Sequence, residues 1–380
     1  IFYHKKESLK MRIAFDYQTF CLQPYGGISR YFVRLAKELI EAKEDVGIFA
    51  PLHRNHYVRF LSNGVVHGFG LKRYPPRSTR VVLAFNRLLA KPAIHKWQPN
   101  VVHETYYSRH SSAPESCPTV ITVHDMIHEL FSDQFSSHDK TSILKRMAVD
   151  RADHVICVSE NTRRDLLNLF GVSENKLSVV HHGFDLFDSN SMPAEEIPVL
   201  TKPYLLYVGN RGGYKNFLGF LCAVASSRRL KYDFDIIAFG GGGFTGYEAD
   251  FLSQLRFNAD QVRQISGDDT LLKYLYTHAQ AFVFPSLYEG FGIPPLEAMA
   301  HQCPVISSNT SSMPEVIGDA GEFFDPRSIA DMALAIEHVV YSPSRTQELI
   351  ERGKRRLALF SWKRCADQTL NIYRRLDVRL

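Results

Sequence analysis

The sequence predicts an α/β protein built from two doubly wound, Rossmann-like halves, and three observations carry that prediction. Short, near-continuous apolar runs alternate with helix-length segments along the chain, the pattern of parallel sheets covered on both faces. The alternation stops once, at Ser189–Lys202, where Pro193 and Pro198 interrupt a stretch without periodicity that reads as a linker. After that break the same strand, turn and helix scheme restarts.

In the first half, Met11–Tyr17 reads as a buried strand and Gln23–Gly27 as a turn. A helix follows over Ile28–Ala42, with Tyr31, Phe32, Leu35, Leu39 and Ile40 at helical spacing. Further strands are expected at Val46–Ala50, Val101–His103, Thr119–His124, His154–Ser159 and Leu177–His181, and helices at Ser136–Arg151 and Asn161–Phe170. In the second half the strands are Tyr204–Val208, Asp235–Phe239, Val262–Ile265, Ala281–Phe284 and Pro304–Ser307. The expected domains are residues 11–190 and 200–360, with a C-terminal helix in 361–380 (Trp362–Arg375) crossing back to the first. Open α/β sheets bind ligands beyond the carboxyl ends of their strands. Two such sheets facing across a cleft would suit a two-substrate enzyme.

Composition narrows the class. With 380 residues, 45% hydrophobic and 22% charged, the chain is neither disordered nor low-complexity, and its length predicts two or three domains. The six cysteines are scattered without a Cys-x-x-Cys pair, which favours a reduced, cytosolic setting. No apolar run approaches the roughly 18–20 residues that span a bilayer. Ile1–Lys10 carries three lysines and no hydrophobic region, unlike a signal peptide; a start at Met11, with an extension before it, is compatible with this.

The net charge of +5 is unevenly spread: residues 1–190 hold 25 basic and 19 acidic side chains, against 20 and 21 in residues 191–380. Between His53 and His103 nine cations, Arg54 to Lys96, meet no Asp or Glu. A solvated face is the bland reading of such a run. Val81–Phe85 and Leu88-Leu89 lie among these cations, however, which is the composition of a basic amphipathic element that meets anionic lipid.

The chemistry is concentrated in Phe284–Ile306. A strand ends at Phe284, a loop carries Glu289-Gly290-Phe291-Gly292, and Pro294-Pro295 opens a helix through Leu296-Glu297-Ala298. Glycines let backbone N–H groups approach a ligand closely. Glu297 is expected in the first helical turn, where the dipole favours its ionised form, a good acceptor for two vicinal hydroxyls. A single glutamate here would be read as helping the helix start. Two glutamates eight apart around Gly-Phe-Gly point to a ligand.

This stretch resembles the Glu-x7-Glu signature of the retaining glycosyltransferases of family 4, which have the two-domain GT-B fold. The likeness continues through Pro304-Val305-Ile306 and Met313-Pro314-Glu315-Val316. It is strong over Leu205–Pro326 and looser in the first half. By that resemblance Glu289 lies beside the donor sugar, the Gly290-Phe291-Gly292 backbone binds sugar hydroxyls, and Glu297 holds the ribose. Gln302 stands where the family commonly has glycine.

A second motif is Tyr207–Asn216, a strand end, a glycine-rich turn with two cations and a helix start. A nucleoside diphosphate leaving group develops negative charge, and Arg211 and Lys215 are the cations placed to meet it. Asn210 occupies the family's usual arginine place and Arg211 follows in a loop one residue shorter; Lys215-Asn216 fits the family pattern. In the first half, Gly26-Gly27 resembles the family's loop whose amides reach the donor phosphates. His124-Asp125 matches its His-Asp, in which His124 approaches the transferred sugar. Ser159 and His182–Asp185 read as cleft-edge structure first and ligand contacts second.

Other signals are weaker. Asp233-Phe234-Asp235 has a metal-site spacing but precedes a strand at its amino end. Gly240–Gly243 lacks the full dinucleotide spacing, although in the family these glycines border the nucleotide. Thirteen of the 16 histidines precede residue 190, with no His-Glu-x-x-His pair, so no metal is expected. The resemblance therefore implies a metal-independent, retaining hexosyltransferase without a cofactor, acting in polysaccharide biosynthesis. Its donor is expected to be a UDP-sugar, UDP-glucose first and GDP-mannose second, and its acceptor a glycan or lipid-linked saccharide. Such an enzyme is expected in the cytoplasm, with peripheral contact to anionic lipid at the inner face of the membrane. The alternatives are another GT-B enzyme, an epimerase or phosphorylase, or a non-catalytic nucleotide-sugar binder. Near-neutral total charge and the lack of a nucleic-acid module argue against a nucleic-acid partner.

Overall fold

The computed structural model describes residues 10–185, 200, 202–258 and 260–377. It divides into two compact units, one running to Gly183 and resuming at Trp362, the other spanning Phe184–Ser361. The break expected at Ser189–Lys202 lies, apart from Leu200 and Lys202, outside the described residues.

The first unit holds a seven-stranded sheet: β1 (Arg12–Phe15), β2 (Asp45–His53), β3 (Val66–Gly70), β4 (Val101–Glu104), β5 (Thr119–Val123), β6 (His154–Cys157) and β7 (Leu177–Val179). The second holds six strands: β8 (Tyr204–Val208), β9 (Asp235–Phe239), β10 (Val262–Ile265), β11 (Ala281–Phe284), β12 (Val305–Ser308) and β13 (Gly321–Phe324). All their pairings are parallel. The orders are β3-β2-β1-β4-β5-β6-β7 and β10-β9-β8-β11-β12-β13. Each sheet therefore grows outward from its first strand, then returns to that strand's other edge. Ile13 pairs with Val46 on one side and Val101 on the other, and Leu205 pairs with Ile236 and Ala281. The loops leaving β1 and β4, and those leaving β8 and β11, flank these topological switch points, where open sheets bind ligands.

Burial follows from the sequence. Strands β4, β5, β6, β11 and β12 are buried along their whole length, as parallel strands between helices must be. In the first core Phe15, Phe32 and Leu35 pack with Trp362, Leu370 and Tyr373 of the helix Trp362–Asp377. That helix also ties down by side-chain bonds: Tyr373 Oη lies 2.5 Å from His103 Nδ1, and Arg374 donates to Glu44 at 2.7 Å. The second core gathers Tyr207, Phe217, Phe220, Ile236, Val283 and Ile336.

Two strands were not foreseen, β3 and β13. Four of the five β3 residues are exposed, so that edge strand offers no apolar run. The helix expected from Ser136 begins at Thr141, whose N–H is taken by the Asp139 carboxylate at 2.6 Å.

Candidate active site

Both glycine-bearing motifs of the second unit leave the sheet at its switch point. Gly209–Asn216 follows β8 and closes with a tight 3-10 turn, Gly213–Lys215, before the helix Phe217–Ser226. Pro285–Gly292 follows β11 and enters the helix Ile293–Ala300. Because β8 and β11 are neighbours, the loops bind each other. Leu287 N–H donates to Tyr214 O at 2.7 Å, and Asn216 Nδ2 donates to Pro285 O at 3.1 Å.

The side chains at the centre of this junction are Lys215 and Glu289. Lys215 Nζ donates to Glu289 Oε1 at 2.7 Å, and Ser286 Oγ donates to the same oxygen at 2.6 Å. The backbone of Glu289 is fixed as well: its N–H donates to Ser311 Oγ at 3.0 Å, and Ser312 Oγ donates to its carbonyl at 2.9 Å and to that of Phe291 at 3.0 Å. The Lys215 side chain remains 21% exposed and that of Glu289 11%. The pair is thus rigidly positioned and still reachable from solvent, which a purely structural buried ion pair would not be.

Gly292 has φ +92°, a backbone conformation that demands glycine; a Cβ there would also lie 2.4 Å from Met313 Cε, the tip of a flexible side chain. The helix begins at Ile293 and has no acidic residue in its first turn. This corrects the expected place of Glu297: it stands in the second turn, one turn beyond the free N–H groups, because Ile293 and not Pro294 opens the helix. Its surroundings come from elsewhere. Glu297 is buried, and Tyr276 Oη lies 3.5 Å from its Oε2. Phe291 is buried against Phe360, ring centroids 5.8 Å apart, while its carbonyl is held by Ser312.

Arg211 and Lys215 are committed to different carboxylates. Arg211 Nε and Nη2 donate to Glu248 at 2.7 and 3.3 Å, Nη1 donates to Gly240 O at 2.9 Å and Nη2 to Gly243 O at 3.0 Å. The guanidinium also lies 4.9 Å from the Phe244 ring centre. Burial works against ionisation of Glu248, but the Arg211 and Thr245 hydrogen bonds prevail and hold its carboxyl below the usual range. Arg211 is therefore the clasp of the Gly240–Gly243 loop, in which Gly240, Gly241 and Gly242 all take positive φ. Asn210, Gly212, Gly213, Gly241, Thr245 and Tyr247 help line a hollow of about 580 Å³ beside it. Asp233 and Asp235 are occupied elsewhere, by Tyr341 Oη at 2.7 Å and by Arg263 at 3.2 Å.

In the first unit, Gly26 and Gly27 open the helix Gly27–Glu41. A Cβ on Gly26 would meet Gln23 Oε1 at 2.3 Å, whereas one on Gly27 meets nothing within 4 Å. His124 follows β5 directly. Its ring stacks on His182 (5.6 Å, 9°) and meets Tyr31 edge-on at 5.2 Å. Burial, then the neighbouring His103 and Lys145, push its pKa down to about 3, so the imidazole is neutral. Its Nε2 is buried without a hydrogen-bond partner, a state that native folds keep to a few places. The next residue is anchored by a buried lysine: Lys145 Nζ donates to Asp125 O at 2.8 Å and to Glu129 Oε2 at 2.7 Å. Ser159 is a helix cap, its Oγ accepting from Thr162 N at 3.0 Å.

Sequence reading gave no role to Ser286, Ser311 and Ser312, which fix Glu289, or to Glu248, which fixes Arg211. Two of these had a local signal, since Ser286 stands three residues before Glu289 and Glu248 three after Thr245. Thr245-x-x-Glu248 is a capping-box spacing, and the box forms.

Comparison with known proteins covers most of the chain. The model described as Glycosyltransferase Family 4 matches residues 25–187, and that described as Glycosyl transferases group 1 matches residues 189–356. The chain belongs to glycosyltransferase family 4. O-antigen chain mannosyltransferase B of Escherichia coli is 28% identical to this transferase over 381 residues, covering 93% of this chain and 97% of that protein. O-antigen chain mannosyltransferase RfbU of Salmonella typhimurium is 28% identical over 242 residues, 62% of this chain and 64% of that protein. The crystal structure of a glycosyltransferase from Rickettsia africae ESF-5 shares the fold, with a TM-score of 0.70 and 19% identity over 97% of this chain and 99% of that one. The two parallel sheets and these likenesses together make the fold of the transferase GT-B.

Proposed function

We propose that this family 4 glycosyltransferase moves a mannosyl group from GDP-mannose to a hydroxyl of a glycan or lipid-linked saccharide, with retention at the anomeric carbon, in polysaccharide biosynthesis. The observation that carries the reading is the Lys215–Glu289 pair, 2.7 Å apart at the junction of two switch-point loops. A lysine ammonium is a compact cation suited to the charge that develops on a departing diphosphate. In this reading Lys215 meets that charge, Glu289 lies against the sugar, the Gly290-Phe291-Gly292 backbone contributes amides, and Glu297 takes the ribose. The departing diphosphate accepts the acceptor's proton on the same face of the sugar, so no protein nucleophile is required. Catalysis then consists of positioning and electrostatic stabilisation, with the cationic role assigned to Lys215 and not to a metal ion.

Arg211 is assigned a positioning role, because its guanidinium is spent on Glu248 and the glycine loop. The neutral His124 and the Gly26-Gly27 amides are assigned to the sugar and the donor phosphates. The preference for mannose comes from the two relatives that are mannosyltransferases, and it reverses the order of donors expected from the sequence, UDP-glucose first.

The test is a transfer assay with GDP-mannose and UDP-glucose, with and without a mannose-terminated acceptor, and the product linkage read by NMR. An α-mannosyl product from GDP-mannose is the expected outcome. Donor consumption without acceptor would favour an epimerase, and an inverted linkage would remove the retaining mechanism.

A further inference from the structure

The helix Thr79–Trp97 turns its two sides to opposite environments. Val82, Asn86, Ala90 and Ile94, spaced by four, are buried in the first unit. The opposite side carries Val81, Phe85, Leu88 and Pro92, spaced four, three and four, and all are exposed. Val81 and Leu88 are 69% and 70% exposed, so this stripe is covered by nothing within the unit. Arg80, Arg87 and Lys91 flank it along one edge and Lys96 along the other, as the 100° rotation per residue places them. Among the described residues no carboxylate pairs with any of these four cations, and no Asp or Glu occurs from His53 to His103. A groove of about 900 Å³ runs beside the stripe, lined by Ala84, Arg87, Leu88, Lys91, Pro92 and His110 among others.

We infer that this face is a docking surface for an anionic lipid bilayer. The apolar stripe supplies side chains that enter the boundary between headgroups and acyl chains, and the flanking cations supply attraction to lipid phosphates. Charge selects this occupant over a second copy of the chain. Two such faces brought together would juxtapose eight unpaired cations around a narrow apolar seam. An apolar protein partner would leave the cations without a purpose. Among the described residues no helix is long and apolar enough to cross a membrane, so the contact is peripheral. The inference rests on the proposed transfer reading for its purpose, delivery of the site to a lipid-linked acceptor, and on the helix alone for its physical basis.

The experiment is co-sedimentation of the full chain with vesicles of phosphatidylcholine alone or containing phosphatidylglycerol, at low and high salt. Binding to the phosphatidylglycerol vesicles, weakened by salt and absent from phosphatidylcholine, is expected. Replacing Arg87 and Lys91 by Gln should weaken binding roughly 25-fold, about fivefold for each cation. Leu88→Asp should abolish it. All three positions are exposed, so the melting temperature and the transfer rate to a water-soluble acceptor stay unchanged, which separates failure of docking from failure of the transferase reading. Equal binding to both vesicle types, undiminished binding by the Gln variant, or a solution dimer dispersed by Leu88→Asp would each overturn the inference.

Discussion

The switch points of the two sheets are tied in contrasting ways. In the first unit, the loops leaving β1 and β4 meet on the fully buried carboxylate of Asp16. It accepts from Thr105 N at 2.8 Å, Thr105 Oγ1 at 2.6 Å, Ser112 Oγ at 2.9 Å and Gln18 Nε2 at 2.7 Å. Every lone pair there has a donor, and the donors are neutral. In the second unit the loops leaving β8 and β11 meet on the Lys215–Glu289 ion pair, which keeps contact with solvent. The same topology is thus sealed in one unit and left open, with a cation at the opening, in the other. A sealed junction stabilises the fold; an open, charged one is fitted to receive an anion.

The largest effect expected from this contrast is on catalysis. Lys215→Ala should lower turnover by about 10²–10³-fold, the usual loss when one preorganised stabiliser of developing charge is removed, with the melting temperature little changed. Steady-state kinetics with GDP-mannose measures it. Asp16→Ala should do the reverse. It leaves several buried donors without an acceptor and costs about 3 kcal/mol of stability, read by chemical denaturation, while turnover per folded molecule persists. If Asp16→Ala abolished turnover at full stability, the division of labour between the junctions would be broken.

A third effect is confined to the first unit. Burial pushes the pKa values of His103 and His124 down to about 3 from 6.5. The unfolded chain therefore takes up protons near pH 6.5 that the folded chain refuses until about pH 3, so stability falls as pH drops through that window. The loss should be about 1 kcal/mol for each histidine over the first pH unit below 6.5. Denaturation midpoints at pH 7.5 and 5.5 check this, and a His103→Gln variant should flatten the dependence.

The smallest effect is the sharpest test of whether the first unit also serves the donor. Gly27→Ala meets no atom within 4 Å and should shift stability by less than about 0.5 kcal/mol. A several-fold rise in the Michaelis constant for the donor would give that loop a ligand role. An unchanged constant would leave it structural.

Much of this was legible in the sequence because it is local. The ends of β5, β8 and β11 follow from apolar runs that stop at His124, Gly209 and Pro285, and the chemistry follows those ends. What sequence reading missed depends on distance along the chain. Asp16 finds Thr105 and Ser112 across 89 and 96 positions, and Arg211 finds Glu248 across 37. No periodicity encodes such partners. Arg211 was therefore expected to face the diphosphate, although its geometry fits a clasp on the glycine loop. Glu297 was misplaced by a single residue of helix start, enough to move it from the first turn to the second. The stripe of Val81, Phe85, Leu88 and Pro92 shows the converse. Its composition was visible, but which of Val81 and Val82 faces outward required the packed helix.

The central assignment is Lys215 as the cation of the donor site. Calorimetric titration of GDP-mannose and UDP-glucose into the protein and its Lys215→Ala variant addresses that directly. GDP-mannose should bind the unaltered protein in preference to UDP-glucose, and its binding should weaken at least about tenfold in a Lys215→Ala variant that melts normally. Equal binding of GDP-mannose by both proteins would contradict the assignment.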